Sequence, residues 1–303
     1  MPKTPSRRLF DLIKSLSGSE KRYFKVATKK DSGSKYLQLF QAIEEQAVFD
    51  DDVLQKLVYG EEVVTSRKYS ELKAYLYDML LRSLQQYDEQ TSVDYQLKNM
   101  LLSVRSLYRR WLLDDCRYLL KRIKKIALKY EVYHIIIEVL DWEKQLAYAG
   151  ADADFFEKYL ASLQAEEEEC LAKMAQLKAY QGLFYELYLL IRKNTLLPKE
   201  REQELKRISD NPLLIGEEQA SSFWAKAYYY RIQSLVSYLS RQREAFHRWC
   251  IELVNLMESR PFLLRDDPSL YIAALSNYTT SCGYLEKHDE MRLSLQKLKK
   301  VEP

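Results

Sequence analysis

One stretch of the sequence places three potential metal ligands at helical spacing. His134, Glu138 and Asp141 are separated by four and three residues, so on a helix they would share one face. An imidazole nitrogen and two carboxylate oxygens are donors that a zinc-class ion accepts. Surface helices produce the same arrangement by chance, and we favour this structural interpretation. We therefore expect that the protein holds no metal ion.

The sequence shows no other pattern of catalytic residues. It contains no glycine-rich phosphate loop, no GxSxG elbow and no HExxH pair. The remaining histidines, His247 and His288, stand far from His134 along the chain. We therefore predict a protein without enzymatic activity and without a cofactor.

The acidic run Glu166–Glu169 is the strongest local concentration of charge. Four consecutive carboxylates point all round a helix and do not form one stripe. We interpret the run as a solvated stretch of a long helix. A site for a cation or a basic partner is the alternative.

The spacing of the prolines predicts an all-α chain. The seven prolines of the 303 residues stand at positions 2, 5, 198, 212, 261, 268 and 303, so none interrupts residues 6–197. Proline inside a helix costs roughly 3 kcal/mol, so this spacing permits long helices. We expect an N-terminal helical domain over residues 1–90 and antiparallel helix pairs over residues 92–303. The segment 194–216, with two prolines, is predicted to be a connector.

The basic segment "SLSGSEKRYFKVATKK" raises the question of nucleic-acid binding. Ser17 and Glu20 form a capping-box pattern that opens a helix. On that helix the basic side chains cover one arc, whereas Tyr23, Phe24 and Ala27 lie on the opposite side. A base-stacking surface would interleave aromatic and basic groups. We therefore predict an amphipathic helix with a basic outer face, and the same pattern recurs over residues 117–129.

A second nucleic-acid hypothesis concerns the helix pair over residues 51–87, which has the order of a helix-turn-helix. The second helix begins "SRKYS", so Arg67 and Lys68 are its candidate DNA contacts. Glu61 and Glu62 precede them, and carboxylates there would repel phosphates. We favour a structural role for the pair, and a DNA-binding transcription regulator is the alternative function.

The composition favours a cytoplasmic protein. The net charge of +3 is too small to indicate nucleic acid. The four cysteines are far apart and form no CxxC motif, which favours buried thiols in a reducing compartment. No apolar run approaches the roughly 20 residues that span a bilayer, so no membrane partner is expected.

Charge is distributed unevenly along the chain. Residues 64–130 carry 14 basic and 7 acidic side chains, a net +7, and residues 131–170 carry 2 basic and 11 acidic ones, a net −9. Blocks of this kind can guide docking between proteins, or they can cancel across the fold.

The segment "YYYRIQSLVSYLSRQREAFHRWC" resembles a tetratricopeptide repeat. The aromatic Tyr229, then Ile232, the small Ala245 and the aromatic Trp249 follow the order of that repeat. A second unit has Cys116 in the small position. Glutamine and valine replace the repeat's glycine in the two units, and no 34-residue period is visible. The resemblance implies a degenerate α-solenoid over about residues 92–300. From "LFDLIKSLSGSEKRYFK" through "LKAYLYDMLLRSL" the chain also resembles a bacterial family of helical-repeat proteins, which supplies no functional residues.

The resemblance to tetratricopeptide repeats also implies which side chains face the concave groove. These groove residues, counted back from the small position, are Lys98, Leu101, Arg105, Tyr108, Arg109, Ala227, Tyr230, Ser234, Ser237, Tyr238 and, in the last pair, Tyr278. Such a groove is basic and aromatic. It implies a scaffold or adaptor that binds an extended, acidic protein segment.

The last predicted helix carries three leucines, Leu293, Leu295 and Leu298, with no polar capping helix after them. A solenoid that ends in this way leaves apolar surface open. We expect either that a copy of the protein covers this end or that the natural chain continues. Self-association is therefore a second possible interaction.

Overall fold

A computed structural model of the chain describes residues 7–29, 33–60, 62, 64–192, 198–264 and 267–301. Within these ranges every regular element is helical, which confirms the all-α prediction. The α-helices are α1 (Arg8–Ser15), α2 (Gly18–Ala27), α3 (Lys35–Glu45), α4 (Asp51–Tyr59), α5 (Ser66–Thr91), α6 (Val93–Tyr108), α7 (Leu113–Lys129), α8 (Tyr133–Ala149), α9 (Ala153–Arg192), α10 (Pro198–Ser209), α11 (Phe223–Leu239), α12 (Arg243–Ser259), α13 (Ser269–Tyr284) and α14 (His288–Lys300).

The chain divides into two compact units, residues 1–96 and 97–303. In the first unit α3 contacts α1, α4 and α5, and α2 packs against α5. Phe24, Phe40 and Leu76 are among the buried side chains of its core. A partly buried ion pair between Lys73 Nζ and Asp51 Oδ2, 2.9 Å apart, links α5 to the start of α4.

The predicted capping box is confirmed at the start of α2. Ser17 Oγ accepts a hydrogen bond from the Glu20 amide at 3.3 Å, and Glu20 Oε2 accepts one from the Ser17 amide at 2.7 Å. Phe24 is buried and Lys25 is exposed, as the amphipathic pattern predicts. Ala27, which the pattern placed on the inner side, is exposed at the last position of the helix.

Replacing Ser17 by alanine is expected to destabilise α2 by about 1 kcal/mol. The Glu20 amide loses its hydrogen-bond acceptor, and the hydrogen bond from the residue 17 amide to the Glu20 carboxylate loses its geometry. Amide hydrogen exchange over residues 18–27 measures the loss. Ser34 is the matched control, since its hydroxyl makes no capping bond to α3 and is buried without a hydrogen-bond partner among the described residues. Equal effects of the two substitutions would contradict the assignment.

One turn geometry recurs between consecutive helices of the second unit. Among the residues that the structure describes, five non-glycine residues have a left-handed backbone, with φ between 51° and 63°, and each stands in a short turn between two helices. They are Trp111, Glu131, Ala151, Arg241 and Glu286. In every turn the amide after this residue bonds the carbonyl five positions back, as Val132 does to Ala127 at 2.9 Å. This is the Schellman motif, and it reverses the chain direction within a few residues.

The spacing of the first three turns gives the length of the helical units between them. The left-handed residues 111, 131 and 151 are separated by 20 positions each, so two helices and their turns occupy 40 residues. The tetratricopeptide repeat occupies 34 residues, so these units are longer than the resemblance implies. Contacts run between neighbours along the chain, from α7 to α8 to α9 and from α11 to α14.

The helix α9 connects the two halves of this array. Its 40 residues extend about 60 Å at 1.5 Å per residue, and Gly182 does not interrupt it. It contacts α8 as well as α10 and α11. The predicted connector contains the 12-residue α10, and two short 3-10 helices follow it. The following helix begins at Phe223, behind the N-cap Ser222, so the connection extends beyond the predicted end at residue 216.

Ion pairs between helices correct the interpretation of the acidic run. Glu166 lies 2.7 Å from Lys124 on α7, and Glu167 lies 2.9 Å from Lys144 on α8. These two carboxylates therefore cross-link α9 to its neighbours and do not form a solvated surface. The pair of Lys124 and Glu166 joins the basic block 64–130 to the acidic block 131–170, so the two blocks partly cancel within the fold.

The structure also shows the state of the cysteines, the character of the helices and the exposure of the α14 leucines. All four cysteines are buried and free, as predicted. No helix among the described residues has both the length and the apolar character needed to cross a membrane. On α14, Leu293 and Leu295 are 60% and 42% exposed, whereas Leu298 packs against the core.

Candidate binding groove

A concave groove of about 1160 Å³ lies in the second unit, between α10 and the turn that joins α11 to α12. We call it the Arg/Tyr groove. Its lining residues are Leu190, Arg201, Glu202, Leu205, Ser237, Tyr238, Leu239, Ser240, Arg241, Gln242, Arg243, Phe246 and Tyr284. The α11–α12 turn therefore forms one wall, and α10 forms another.

Three arginines give the groove its charge. Arg241 and Arg243 are exposed at the α11–α12 turn, and Arg201 is half-buried on α10. Among the described residues, no carboxylate lies within 4 Å of any of these three guanidinium groups. Glu202 is the single acidic side chain in the lining. The groove therefore presents positive charge that the described part of the chain does not neutralise.

Two tyrosines form an aromatic wall beside the arginines. The rings of Tyr238 and Tyr284 are stacked with their centroids 6.3 Å apart, and the buried Phe246 packs against both. A hydrogen bond with Tyr238 raises the pKa of the Tyr284 phenol, so this phenol stays protonated near pH 7. The Arg243 guanidinium lies 5.7 Å from the centre of the Tyr284 ring. Such contacts hold an arginine in place while its N–H groups stay available.

The left-handed backbone of Arg241 belongs to the architecture of the array. The same geometry occurs in four other turns, where the residue is Trp, Glu, Ala or Glu. The conformation is therefore no sign of function at this turn. It does direct the segment 240–243 outward at the rim, since all four residues are exposed.

Of the predicted groove residues on the later helices, Ser237 and Tyr238 line the Arg/Tyr groove. Tyr230 does not, because only 4% of its surface is exposed and its hydroxyl donates to Glu217. Tyr278 is half-buried, with its hydroxyl 2.8 Å from Glu290 Oε2 and its ring stacked on His247. Both tyrosines follow the pattern in which the ring packs between helices and the hydroxyl reaches an acceptor.

The predicted groove residues on the earlier helices lie away from the Arg/Tyr groove. Arg105 and Arg109 are exposed, near the end of α6. Tyr108 is half-buried, and its ring packs edge-on against Trp142 on α8, 5.4 Å between centroids. Lys98, on the first half of α6, is exposed. The structure thus does not bring these four residues together with Tyr238.

The two candidate DNA contacts lie in the first turn of α5. Arg67 Nε is 2.9 Å from Glu71 Oε1, and Lys68 Nζ is 3.8 Å from Glu62 Oε1. Each basic group thus has a carboxylate beside it, which weakens its attraction for a phosphate. Glu61, the other acidic residue of the prediction, lies outside the described residues.

The helix face that carries His134, Glu138 and Asp141 is not a cluster of metal ligands. His134 is exposed on α8, and Asp141 is paired with Lys144 at 2.9 Å. A different trio, His247, Cys282 and Glu290, does converge.

Sequence reasoning missed Arg201, Arg241, Arg243 and Tyr284. The one signal for two of them was the basic turn "SRQRE", but basic turns are common on solvated surfaces. Arg201 and Tyr284 come from other helices and gave no signal.

A smaller groove of about 400 Å³ lies between α7, α8 and α9. Two of its three basic side chains are already paired, since Lys124 contacts Glu143 and Glu166, and Arg117 contacts Asp114; Lys121 is the third. It is therefore a weaker candidate for an acidic partner. Comparison of the chain with protein-family models, curated proteins and solved structures found no match.

Proposed function

We propose that this protein is a non-catalytic interaction scaffold that holds an extended, acidic segment of another protein in the Arg/Tyr groove. The observation that carries the proposal is the set of three arginines, Arg201, Arg241 and Arg243, without a carboxylate partner among the described residues. Uncompensated guanidinium groups beside a concave aromatic wall are suited to carboxylates, which arginine binds through two parallel hydrogen bonds.

The aromatic wall supplies the second part of the recognition. Tyr238 and Tyr284 are 44% and 41% exposed, so each offers part of its ring to a ligand. Tyrosine is enriched at protein interfaces because its ring packs on apolar groups while its hydroxyl forms hydrogen bonds. The preferred segment would therefore alternate carboxylates with apolar side chains.

The array of helical hairpins supports this function. Five equivalent turns and contacts between sequential neighbours are features of an α-solenoid, in which adjacent hairpins create a concave surface for extended peptides. The described residues of the groove lining include no histidine or cysteine, the side chains that most often act as base or nucleophile. We expect the scaffold to act in the cytoplasm, where its free cysteines stay reduced.

Fluorescence anisotropy with a labelled peptide that alternates Glu and Leu tests the proposal. The full chain is expected to bind this peptide more tightly than the version with Gln in place of Glu, and less tightly as salt rises. The double variant Arg241→Gln/Arg243→Gln is expected to lose about tenfold in affinity, which corresponds to about 1.4 kcal/mol.

The matched control is the double variant Arg105→Gln/Arg109→Gln, which removes two exposed arginines outside the Arg/Tyr groove. It is expected to bind the peptide as the unmodified chain does. If both double variants weakened binding equally, the attraction would be a general effect of net charge and the assigned groove would be wrong.

A further inference from the structure

Three potential ligand atoms converge where α12, α13 and α14 meet. His247 on α12, Cys282 on α13 and Glu290 on α14 each offer one donor atom, and these atoms lie within 4.8 Å of one another. His247 is 5% exposed and Cys282 is fully buried, whereas Glu290 reaches the surface. Imidazole nitrogen, thiolate sulfur and carboxylate oxygen are the donors found in zinc sites.

The hydrogen bonds of Ser281 fix which nitrogen of His247 carries the proton. The Ser281 hydroxyl donates its one proton to the Tyr278 carbonyl at 2.7 Å, so it must accept from His247 Nδ1, 2.9 Å away. The lone pair of His247 is therefore on Nε2. Nε2 lies 3.2 Å from Glu290 Oε2, so the lone pair faces the cluster. Outer hydrogen bonds of this kind orient histidines that ligate metals.

A cation already lies beside two of the three ligand groups, those of His247 and Glu290. Lys287 Nζ lies 2.9 Å from His247 Nε2 and 3.0 Å from Glu290 Oε1. The lysine side chain is 40% exposed, and its flexible four-carbon stem can carry the ammonium out to solvent. The cluster is therefore arranged around a cation, and that cation is exchangeable.

We propose that this cluster binds a zinc-class divalent ion through His247 Nε2, Cys282 Sγ and the Glu290 carboxylate, with water as a fourth ligand. The ion takes the place of the Lys287 ammonium, which moves into solvent. The Cys282 thiol releases its proton to solvent when sulfur binds the ion. One thiolate and one carboxylate then balance the two charges of the metal.

The ion would tie three helices together. Its ligands come from α12, α13 and α14, and the neighbouring residue Phe246 lines the Arg/Tyr groove, as does Tyr284. Binding would thus fix α13 against α12 at one wall of that groove. The site itself does not depend on the proposed function, because metal binding is measured without any peptide.

Titration of the full chain with Co²⁺ tests the site directly. We expect one equivalent to bind, with the near-ultraviolet absorption of a thiolate–cobalt bond and with release of a proton. Zn²⁺ is expected to displace the cobalt and to raise the melting temperature. The Cys282→Ser variant is expected to lose the absorption, whereas Cys250→Ser, which removes another buried thiol outside the trio, is expected to retain it.

The exposed Lys287 provides a variant that does not disturb the core. Lys287→Met removes the competing ammonium and is expected to tighten cobalt binding at least tenfold. If the unmodified chain showed no thiolate absorption, the proposal would be overturned. This includes the case in which only Lys287→Met binds cobalt, because the Lys287 ammonium would then hold the metal position in the natural protein. Equal loss in Cys250→Ser and Cys282→Ser would overturn the ligand assignment.

Discussion

Replacing Tyr180 by alanine is expected to lower the free energy of unfolding of the second unit by about 3–5 kcal/mol, the range for a large aromatic side chain in a core. Tyr180 is fully buried in the middle of α9, among the core side chains of α11 and α12. Burial raises the pKa of its phenol to about 12, so the hydroxyl remains protonated and donates to the Leu213 carbonyl at 2.8 Å. Alanine removes the ring and leaves a cavity.

The four tryptophans allow this unit to be observed separately. All of them lie between residues 97 and 303, so tryptophan fluorescence in a urea titration reports on the second unit alone. Tyr185 is the matched control, because it lies on the same helix and is 57% exposed. Its replacement by alanine is expected to change stability by no more than about 0.5 kcal/mol. A cost for Tyr180→Ala below that of the control would show that the core is packed differently.

Replacing Glu131 by alanine is expected to cost about 2–3 kcal/mol, because one partly buried carboxylate connects three distant segments. Glu131 Oε1 accepts from Arg260 Nη1 at 2.7 Å, and Oε2 accepts from the Phe223 amide at 2.8 Å. The first bond reaches the end of α12. The second satisfies an amide at the N-terminus of α11, where the helix dipole favours negative charge. Without the carboxylate, these two donors and the Tyr133 hydroxyl, 3.3 Å from Oε2, lose their partner.

Two other turns provide the controls for this substitution. Glu286 has the same left-handed backbone but is exposed, and it makes no side-chain ion pair among the described residues. Its change to alanine is expected to have little effect, since Ala151 occupies the equivalent position in another turn. Urea unfolding followed by tryptophan fluorescence measures both variants. If Glu286→Ala were as costly as Glu131→Ala, the left-handed backbone and not the carboxylate would explain the loss.

The sequence was sufficient for the features that depend on neighbouring residues. The capping box of Ser17 and Glu20 was readable because its two hydrogen bonds span three positions. The buried face of α7, with Leu120 and Ile123, followed from helical periodicity. The proline-free range also permitted the 40-residue α9.

The predicted groove shows where the resemblance misled. It transferred positions from a 34-residue repeat to helices whose turns are 20 residues apart in the earlier part of the unit and 45 apart between residues 241 and 286, and most of the transferred side chains do not line the same surface. Tyr230 became a buried side chain bound to Glu217, and Tyr108 packs against Trp142. Of the predicted residues, the neighbours Ser237 and Tyr238 lie in the Arg/Tyr groove.

By itself, the sequence determined an all-α chain, the helix positions and the inner face of several helices. These follow from local hydrogen bonding and from the period of apolar residues, which act over a few positions. The tertiary structure alone decided that Arg201 faces Arg241 and Arg243 across a groove, and that His247, Cys282 and Glu290 converge. Those groups stand on different helices, and their proximity depends on how whole helices pack, which no local pattern records.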